Sequence, residues 1–343
     1  MITVIIPFFN AEKYLSTAVR SVIKQTFQDW EIILVDDCSL DSSKKIAEKM
    51  CADDKRIHYT CNDINLGVDR SRFVGLNKSR GEFIMFLDAD DWLAKNALEL
   101  LYKKIEQENA DIVTGSFIRV LDRFALIKSK PINTYLGIRT ESIIQPKLFD
   151  DYFLSYFGIN KLLISVWGKI YRKSTLELAA ISPTGMKMGE DLLFNMFLHP
   201  HLHKIAFVGE TVYYYRFGGM TTTSNPNFLE NIKKQYFLKK EFCNKYSYKK
   251  AIDPLNHEMV NCFFSHYENL ILLDDYAQPD LSILIEKELK EAIYDHLVVN
   301  RPFERYTVLK SKDVKIITDY IVHSSKMRRH KFKLKKVISK LLN

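Results

Sequence analysis

The chain has 343 residues, 47% of them hydrophobic, which is enough for a proper core and, by the usual length prior, roughly two domains. No stretch reaches the ~18 consecutive apolar residues of a spanning helix, and the N-terminus runs from Met1 straight into a strand without the basic region of a signal peptide. The net charge of +8 is local: eight Lys or Arg and no acid fall between Lys326 and Asn343, and subtracting these from 50 leaves 42 basic residues against 42 acidic ones upstream.

The elements alternate along the first third. Residues 2–6 are a β-rich apolar run that reads as a strand buried on both faces, ended by Pro7-Phe8-Phe9-Asn10. A helix opening at Asn10 or Ala11 carries Tyr14, Leu15, Val19, Val22 and Ile23 on one face. Ile32 to Val35 is the next buried strand and stops in Asp36-Asp37-Cys38-Ser39, with a second helix from about Asp41-Ser42-Ser43. Arg56 to Thr60 is a strand, Val68 to Lys78 a helix, Glu82 to Leu87 a strand, Leu93 to Glu108 a helix and Asp111 to Phe117 a strand. This alternation predicts a parallel α/β sheet, which binds ligands beyond the carboxyl ends of its strands. Asn10 with Glu12, Asp36-Asp37, and Asp88-Ala89-Asp90-Asp91 all fall at such ends.

The cluster at 88–91 places three carboxylates within four residues where a buried strand ends. Unpaired charge resists desolvation, so the cluster either faces water at a helix N-terminus, where Asp caps well, or binds a cation. Oxygen ligands alone suit a hard ion such as Mg²⁺ or Mn²⁺, which shares its coordination with substrate phosphates. The five cysteines form no Cys-x-x-Cys pair, so free thiols in a reducing cytoplasm are expected, and the nine histidines show no ligand spacing.

From about Leu121 to Ile164 the pattern loosens, with Pro131, Pro146 and many aromatics. Trp167-Gly168-Lys169 follows, then Gly189-Glu190-Asp191 before Leu192, Leu193 and Phe194, which reads as a helix start. Val212 to Arg216 is a strand, and Phe217 to Pro226 a polar loop containing Gly218, Gly219 and Thr221 to Thr223. Beyond it helical periodicity dominates, so the expected division is 1–225 and 226–343.

Five of these stretches occur in order: Thr3 to Asn10, Leu34 to Asp41, Asn65-Leu66-Gly67 through Leu76, Gly81-Glu82, and Phe86 to Asp91. Together they resemble the family 2 glycosyltransferases, closely over residues 1–118 and as far as about 225 through Trp167-Gly168-Lys169 and Gly189-Glu190-Asp191. The resemblance implies a GT-A nucleotide-sugar-binding fold, α/β and Rossmann-like with a mostly parallel central sheet, followed by a helical C-terminal region. It implies an inverting enzyme that moves sugar from a UDP-sugar donor to a hydroxyl of a glycan or lipid-linked glycan acceptor in bacterial surface-polysaccharide synthesis. Pro7, Phe9 and Glu12 would line the nucleotide pocket, and Asp37 with Asp36 would bond uracil or ribose. Arg72 stands near the base, in Ser71-Arg72-Phe73 where the family has Ala-Arg-Asn. Asp88 would hold ribose or a metal-bound water, and Asp90 would bind Mn²⁺ or Mg²⁺ on the diphosphate. Ala89 lies between them, and Asp91 would assist the metal or position the sugar.

Asp191 would be the general base that deprotonates the acceptor, with Glu190 as the neighbour able to exchange roles; the competing reading is an N-cap carboxylate. Trp167 and Lys169 would wall the acceptor or diphosphate, or else belong to the core. Arg216 and the loop after it would close over the diphosphate, or else form a surface turn. Leu334, Val337, Ile338, Leu341 and Leu342 make the tail a basic amphipathic helix. That pattern fits peripheral contact with the anionic inner face of the cytoplasmic membrane through 326–343, or a last helix packed on the domain. No nucleic-acid reading module is recognisable. A non-catalytic nucleotide-sugar-binding scaffold subunit is the alternative function, which the carboxylates at 88, 90, 91 and 191 disfavour. The sugar, the linkage and the oligomeric state are not legible.

Overall fold

The computed structural model describes residues 1–121, 153–157, 164–217, 227–274, 278–300 and 303–327. The loop at 218–226, the basic tail from 328 onward and most of the loosely patterned stretch before Ile164 lie outside the described residues.

The chain divides into two compact units: residues up to Thr222, apart from 157–159, form the first, and Thr223 onward with 157–159 the second. The first opens with β1 (Ile2–Phe8), α1 (Leu15–Ile23), β2 (Trp30–Asp36), α2 (Ser43–Asp53), β3 (Ile57–Cys61), α3 (Val68–Lys78) and β4 (Phe83–Phe86). All residues of β1, β2 and β4 are buried, as expected of parallel strands covered on both faces. There follow β5 (Trp92–Leu93), α4 (Ala97–Glu108), β6 (Ile112–Leu121), β7 (Lys169–Arg172), α5 (Lys173–Ala179), α6 (Glu190–Leu198) and β8 (Ile205–Phe217).

One eight-stranded sheet has the order β3-β2-β1-β4-β7-β6-β8-β5. Its first four strands are parallel, Val4 lying opposite Ile32 and Met85. Then β7 enters antiparallel to both β4 and β6, while β8 runs parallel to β6 and antiparallel to β5. The parallel half therefore carries its strand ends, and the polar residues after them, to one edge of the sheet.

Two boundaries differ from the periodicity. Helix α1 starts at Leu15 rather than Asn10 because the preceding amides are committed elsewhere. Ala11 N–H donates to Ser43 Oγ at 2.8 Å and Glu12 N–H to Asp41 Oδ2 at 3.0 Å, while Asn10 sits at φ +50°. Helix α4 starts at Ala97 rather than Leu93 because Trp92 and Leu93 pair with Tyr214 and Tyr213 of β8.

The core packs Ile2, Val4, Ile6 and Phe8 of β1 against Leu15, Ala18, Val19 and Val22 of α1 and against Leu98, Leu101 and Ile105 of α4. The second unit is helical, with α7 (Phe228–Lys245), α8 (Ile252–Asp274), α9 (Gln278–Glu288) and α10 (Glu304–Lys310). Phe263, Phe264 and Tyr267 form its aromatic centre, and Arg305 pairs at 2.7 Å with the fully buried Glu268.

Candidate functional site

A cleft of about 210 Å³ opens at the carboxyl ends of β1, β2 and β4. Pro7, Phe8 and Phe9 leave β1 into its wall, Asp37 stands at the end of β2, and Asp88, Ala89 and Asp90 follow β4. Val68, Ser71 and Arg72 contribute from α3, where the spacing i, i+3, i+4 puts them on one face, and Glu190 comes from the first turn of α6.

Arg72 is the centre of its electrostatics. The side chain is buried, yet Nη2 donates to Asp88 Oδ1 at 3.0 Å, and Nη1 donates to Glu190 Oε1 at 3.2 Å and Asp191 Oδ1 at 2.5 Å. Its Nε is buried with no hydrogen-bond partner. Burial opposes the guanidinium charge, but Asp191, Asp88 and Glu190 overcome it and raise its pKa. The carboxylates outnumber their counter-charge. Burial pushes Asp88 up to about 6, Arg72 pulling against it and Asp191 and Asp90 adding to it. Glu190 rises to about 7 through burial and the Asp191 charge, again against Arg72.

The remaining carboxylate of the 88–91 cluster does structural work. Asp91 is buried, its Oδ2 accepting from Tyr213 O–H at 2.8 Å and its Oδ1 from Arg216 N–H at 2.7 Å. Burial, followed by the charges of Asp90 and Asp88, raises it to about 8. Arg216 Nε donates to Asp90 O at 2.5 Å, and its guanidinium lies over the rings of Tyr14 and Trp92. This brings β8 onto the 88–91 loop.

Asp37 shapes the cleft as much as it faces it. Its Oδ1 accepts from Asn62 Nδ2 and Leu66 N–H and its Oδ2 from Gly67 N–H, all at 2.8 Å, which fastens the 62–67 turn. An ionised carboxylate offers about four acceptor sites, so one stays open on Oδ2.

Pro7, Phe9, Asp37, Arg72, Asp88, Ala89, Asp90 and Glu190 thus share one wall. The other candidates lie off it. Asp36 is buried and does not line the cleft; its Oδ1 accepts from Ser39 N–H and its Oδ2 from Tyr59 O–H. Glu12 Oε2 accepts Ser42 N–H at 3.1 Å just before α2. Trp167, half-buried, stacks on Tyr213 at 4.7 Å and on Tyr215 at 5.3 Å and packs against the core, outside the lining of this cleft. Lys169 is fully buried and donates from Nζ to Ser165 O; burial lowers it to about 7 against the Asp191 charge. Asp191 lies one residue behind the wall, joined to it through Arg72. Val68, Ser71 and Phe8 were absent from the expected wall, although the helical phase of α3 places the first two beside Arg72.

The sequence profile described as glycosyl transferase family 2 matches residues 3–175. Glycosyltransferase GlyA of Streptococcus pneumoniae is 32% identical over 221 residues, a match that spans 63% of this chain and 30% of GlyA. The uncharacterised glycosyltransferase EpsJ of Bacillus subtilis is 26% identical and spans 91% of this chain and 90% of EpsJ. Among solved structures, Staphylococcus aureus TarS 1-349 in complex with UDP-GlcNAc superposes with a TM-score of 0.68 at 22% identity, covering 95% of this chain and 91% of that one. At that identity the likeness speaks for the GT-A fold. With the profile spanning half of its length, the chain belongs to glycosyl transferase family 2.

Proposed function

We propose that the chain transfers a sugar from a UDP-sugar to a hydroxyl of a glycan acceptor, with inversion at the anomeric carbon, at the cleft beside Arg72. The supporting observation is that two acidic sites meet at one cleft: Asp88 with Asp90 and, across from them, Glu190 line it, Asp191 stands directly behind Glu190, and Arg72 pairs with Asp88, Glu190 and Asp191. An inverting displacement needs two such sites, because the acceptor proton and the leaving diphosphate lie on opposite faces of the sugar. TarS, whose structures include complexes with UDP and UDP-GlcNAc, supports the choice of donor.

Pro7 and Phe9 offer apolar surface for the base, and the open acceptor position on Asp37 suits an N–H of uracil or a ribose hydroxyl. Asp191 takes the proton of the acceptor hydroxyl as that oxygen attacks, and the Arg72 guanidinium on Oδ1 aims the carboxylate. Glu190 is a second candidate for that base, favoured by its place on the cleft wall and by a pKa near 7.

Among the described residues, no group of three or more His, Cys, Asp or Glu is arranged to hold an ion unaided. Mg²⁺ or Mn²⁺ needs less, since one or two carboxylates suffice when phosphate oxygens complete the shell. Asp90 and Asp88 fit that role, their pooled negative charge being what a cation would relieve. When bound, such an ion neutralises charge growing on the departing diphosphate.

No helix among the described residues is long and apolar enough to cross a membrane. The acceptor is proposed to be a bacterial surface glycan, free or lipid-linked, met at the inner face of the cytoplasmic membrane through the basic tail. Deleting residues 326–343 should release the protein from anionic vesicles while leaving UDP binding intact; unchanged vesicle binding removes the membrane role.

The deciding experiment for the chemistry compares Asp191→Asn and Glu190→Gln. Asp191→Asn is expected to abolish transfer while keeping UDP affinity by calorimetry. If Asp191→Asn turns over normally and Glu190→Gln does not, the base is Glu190.

A further inference from the structure

Behind the cleft wall, a buried network holds the Asp191 carboxylate from the side opposite Arg72. Asp191 Oδ2 accepts the Val166 N–H at 3.2 Å. Val166 precedes β7 in a segment with little regular structure of its own, and three buried side chains converge on it. Asn195 Nδ2 donates to Ile164 O at 2.9 Å, to Ser165 O at 3.3 Å and to the main-chain carbonyl of Asp191 at 2.9 Å. Asn195 Oδ1 accepts from Tyr171 O–H at 3.0 Å, and the same hydroxyl lies 3.3 Å from Val166 O. Lys169 Nζ donates to Ser165 O. Asn195 is 1% exposed, and Tyr171 and Lys169 are wholly buried.

A buried amide, phenol and ammonium are costly unless every one is bonded. A stretch needed only for packing would be served more cheaply by apolar side chains. Here all three polar groups act on one short segment, 164–166, and that segment's next hydrogen bond goes to Asp191. Asn195 also lies one helical turn after Asp191 in α6, so the same amide ties the helix backbone and the segment together.

We propose that Asn195, Tyr171 and Lys169 are positioning residues, which fix the Ser165–Val166 peptide so that its N–H orients the Asp191 carboxylate toward the acceptor hydroxyl. Arg72 grips one carboxylate oxygen and Val166 the other, which leaves a defined direction for proton uptake. This role rests on the reading of Asp191 as the general base.

The test uses the full chain and four variants: Asn195→Ala, Tyr171→Phe, the double variant, and Asp191→Asn. Each is assayed for kcat, donor KM, UDP affinity and Tm. Asn195→Ala should lower kcat about 10²-fold, the loss that roughly 1 Å of misplacement of a reacting group brings. Tyr171→Phe, which keeps the ring and removes one hydroxyl, should lower kcat about 10-fold. Donor KM and UDP affinity should stay at the wild-type value in both. The double variant should be no worse than Asn195→Ala alone, because both changes act through one peptide. A merely structural role predicts lower Tm with unchanged kcat per folded molecule, and that result overturns the proposal. If Asp191→Asn is inactive while both single variants keep wild-type kcat, the positioning role fails and the base assignment stands. If Asp191→Asn turns over normally, both fall. Should Asn195→Ala not fold, Tyr171→Phe decides alone.

Discussion

Replacing Arg72 by Met removes a cation shared by three carboxylates and keeps most of the side-chain volume. Asp88 Oδ1, Glu190 Oε1 and Asp191 Oδ1 all lie within 3.2 Å of the guanidinium, and the Arg72 side chain is 6% exposed. Breaking one partner out of a buried ion pair typically costs about 3–5 kcal/mol, because the charge left behind is unpaired. At about 2–4 °C per kcal/mol for a unit of this size, Tm should fall by roughly 6–20 °C at pH 8. The loss should shrink with acid, and the sign follows from linkage. Asp88 and Glu190 already titrate at about 6 and about 7, and Arg72 is the influence pulling both down. Without it their folded values rise further, so the folded state binds more protons than the unfolded chain and gains stability as pH falls. Differential scanning fluorimetry of wild type and Arg72→Met between pH 5 and 8 reads this directly. A Tm difference that is small at pH 8, or that does not narrow toward pH 5, refutes the idea that Arg72 is the counter-charge of the site.

Three further outcomes are expected. Glu31 is buried and accepts from Thr3 O–H at 2.6 Å and from Arg80 N–H and Nε at 2.7 and 2.8 Å. Burial opposes its ionisation, but these bonds carry its pKa below the usual value, so its stabilisation holds above about 4.5 and is lost as pH falls through the folded value. Glu31→Gln should cost about 2–3 kcal/mol at pH 7 in urea unfolding, and less in acid. Gly81→Ala would set a Cβ 2.7 Å from the Thr3 backbone N and 2.9 Å from Met1 O, so a loss of about 1–3 kcal/mol is expected by the same measurement. Asp90→Asn should remove most of any Mn²⁺ enhancement of UDP affinity in titration calorimetry while leaving metal-free UDP binding unchanged.

The parallel half of the sheet was legible because its signals are local. All-apolar runs at β1 and β2 need cover on both faces, and the polar residues that end them fall at the ligand-binding edge. Helix α3 runs from Val68 to Lys78 as its periodicity indicates. The failures come from distant partners. Strand β5 is two residues long and exists because Tyr213 and Tyr214 lie alongside it, far along the chain. Trp167 offers the same surface to a ligand or to a core, and its stacking partners Tyr213 and Tyr215 lie far along the chain. Arg72 was legible as a candidate, and it lines the cleft, but its pairing with Glu190, 118 residues away, was not legible. At Glu12 and Asp36 the same signal has a second use, because a carboxylate at a strand end also satisfies turn amides, as these two do with Ser42 N–H and Ser39 N–H.

A crystal grown with UDP and Mn²⁺ tests the site most directly, through its anomalous difference map and the position of the nucleotide. The expected result is a manganese peak at Asp90 and Asp88 on the diphosphate, with uracil against Pro7 and Phe9. The β-phosphate should then lie on the same cleft as Glu190 and Asp191. A nucleotide bound away from this cleft, or a diphosphate far from both Asp90 and Asp191, would contradict the assignment.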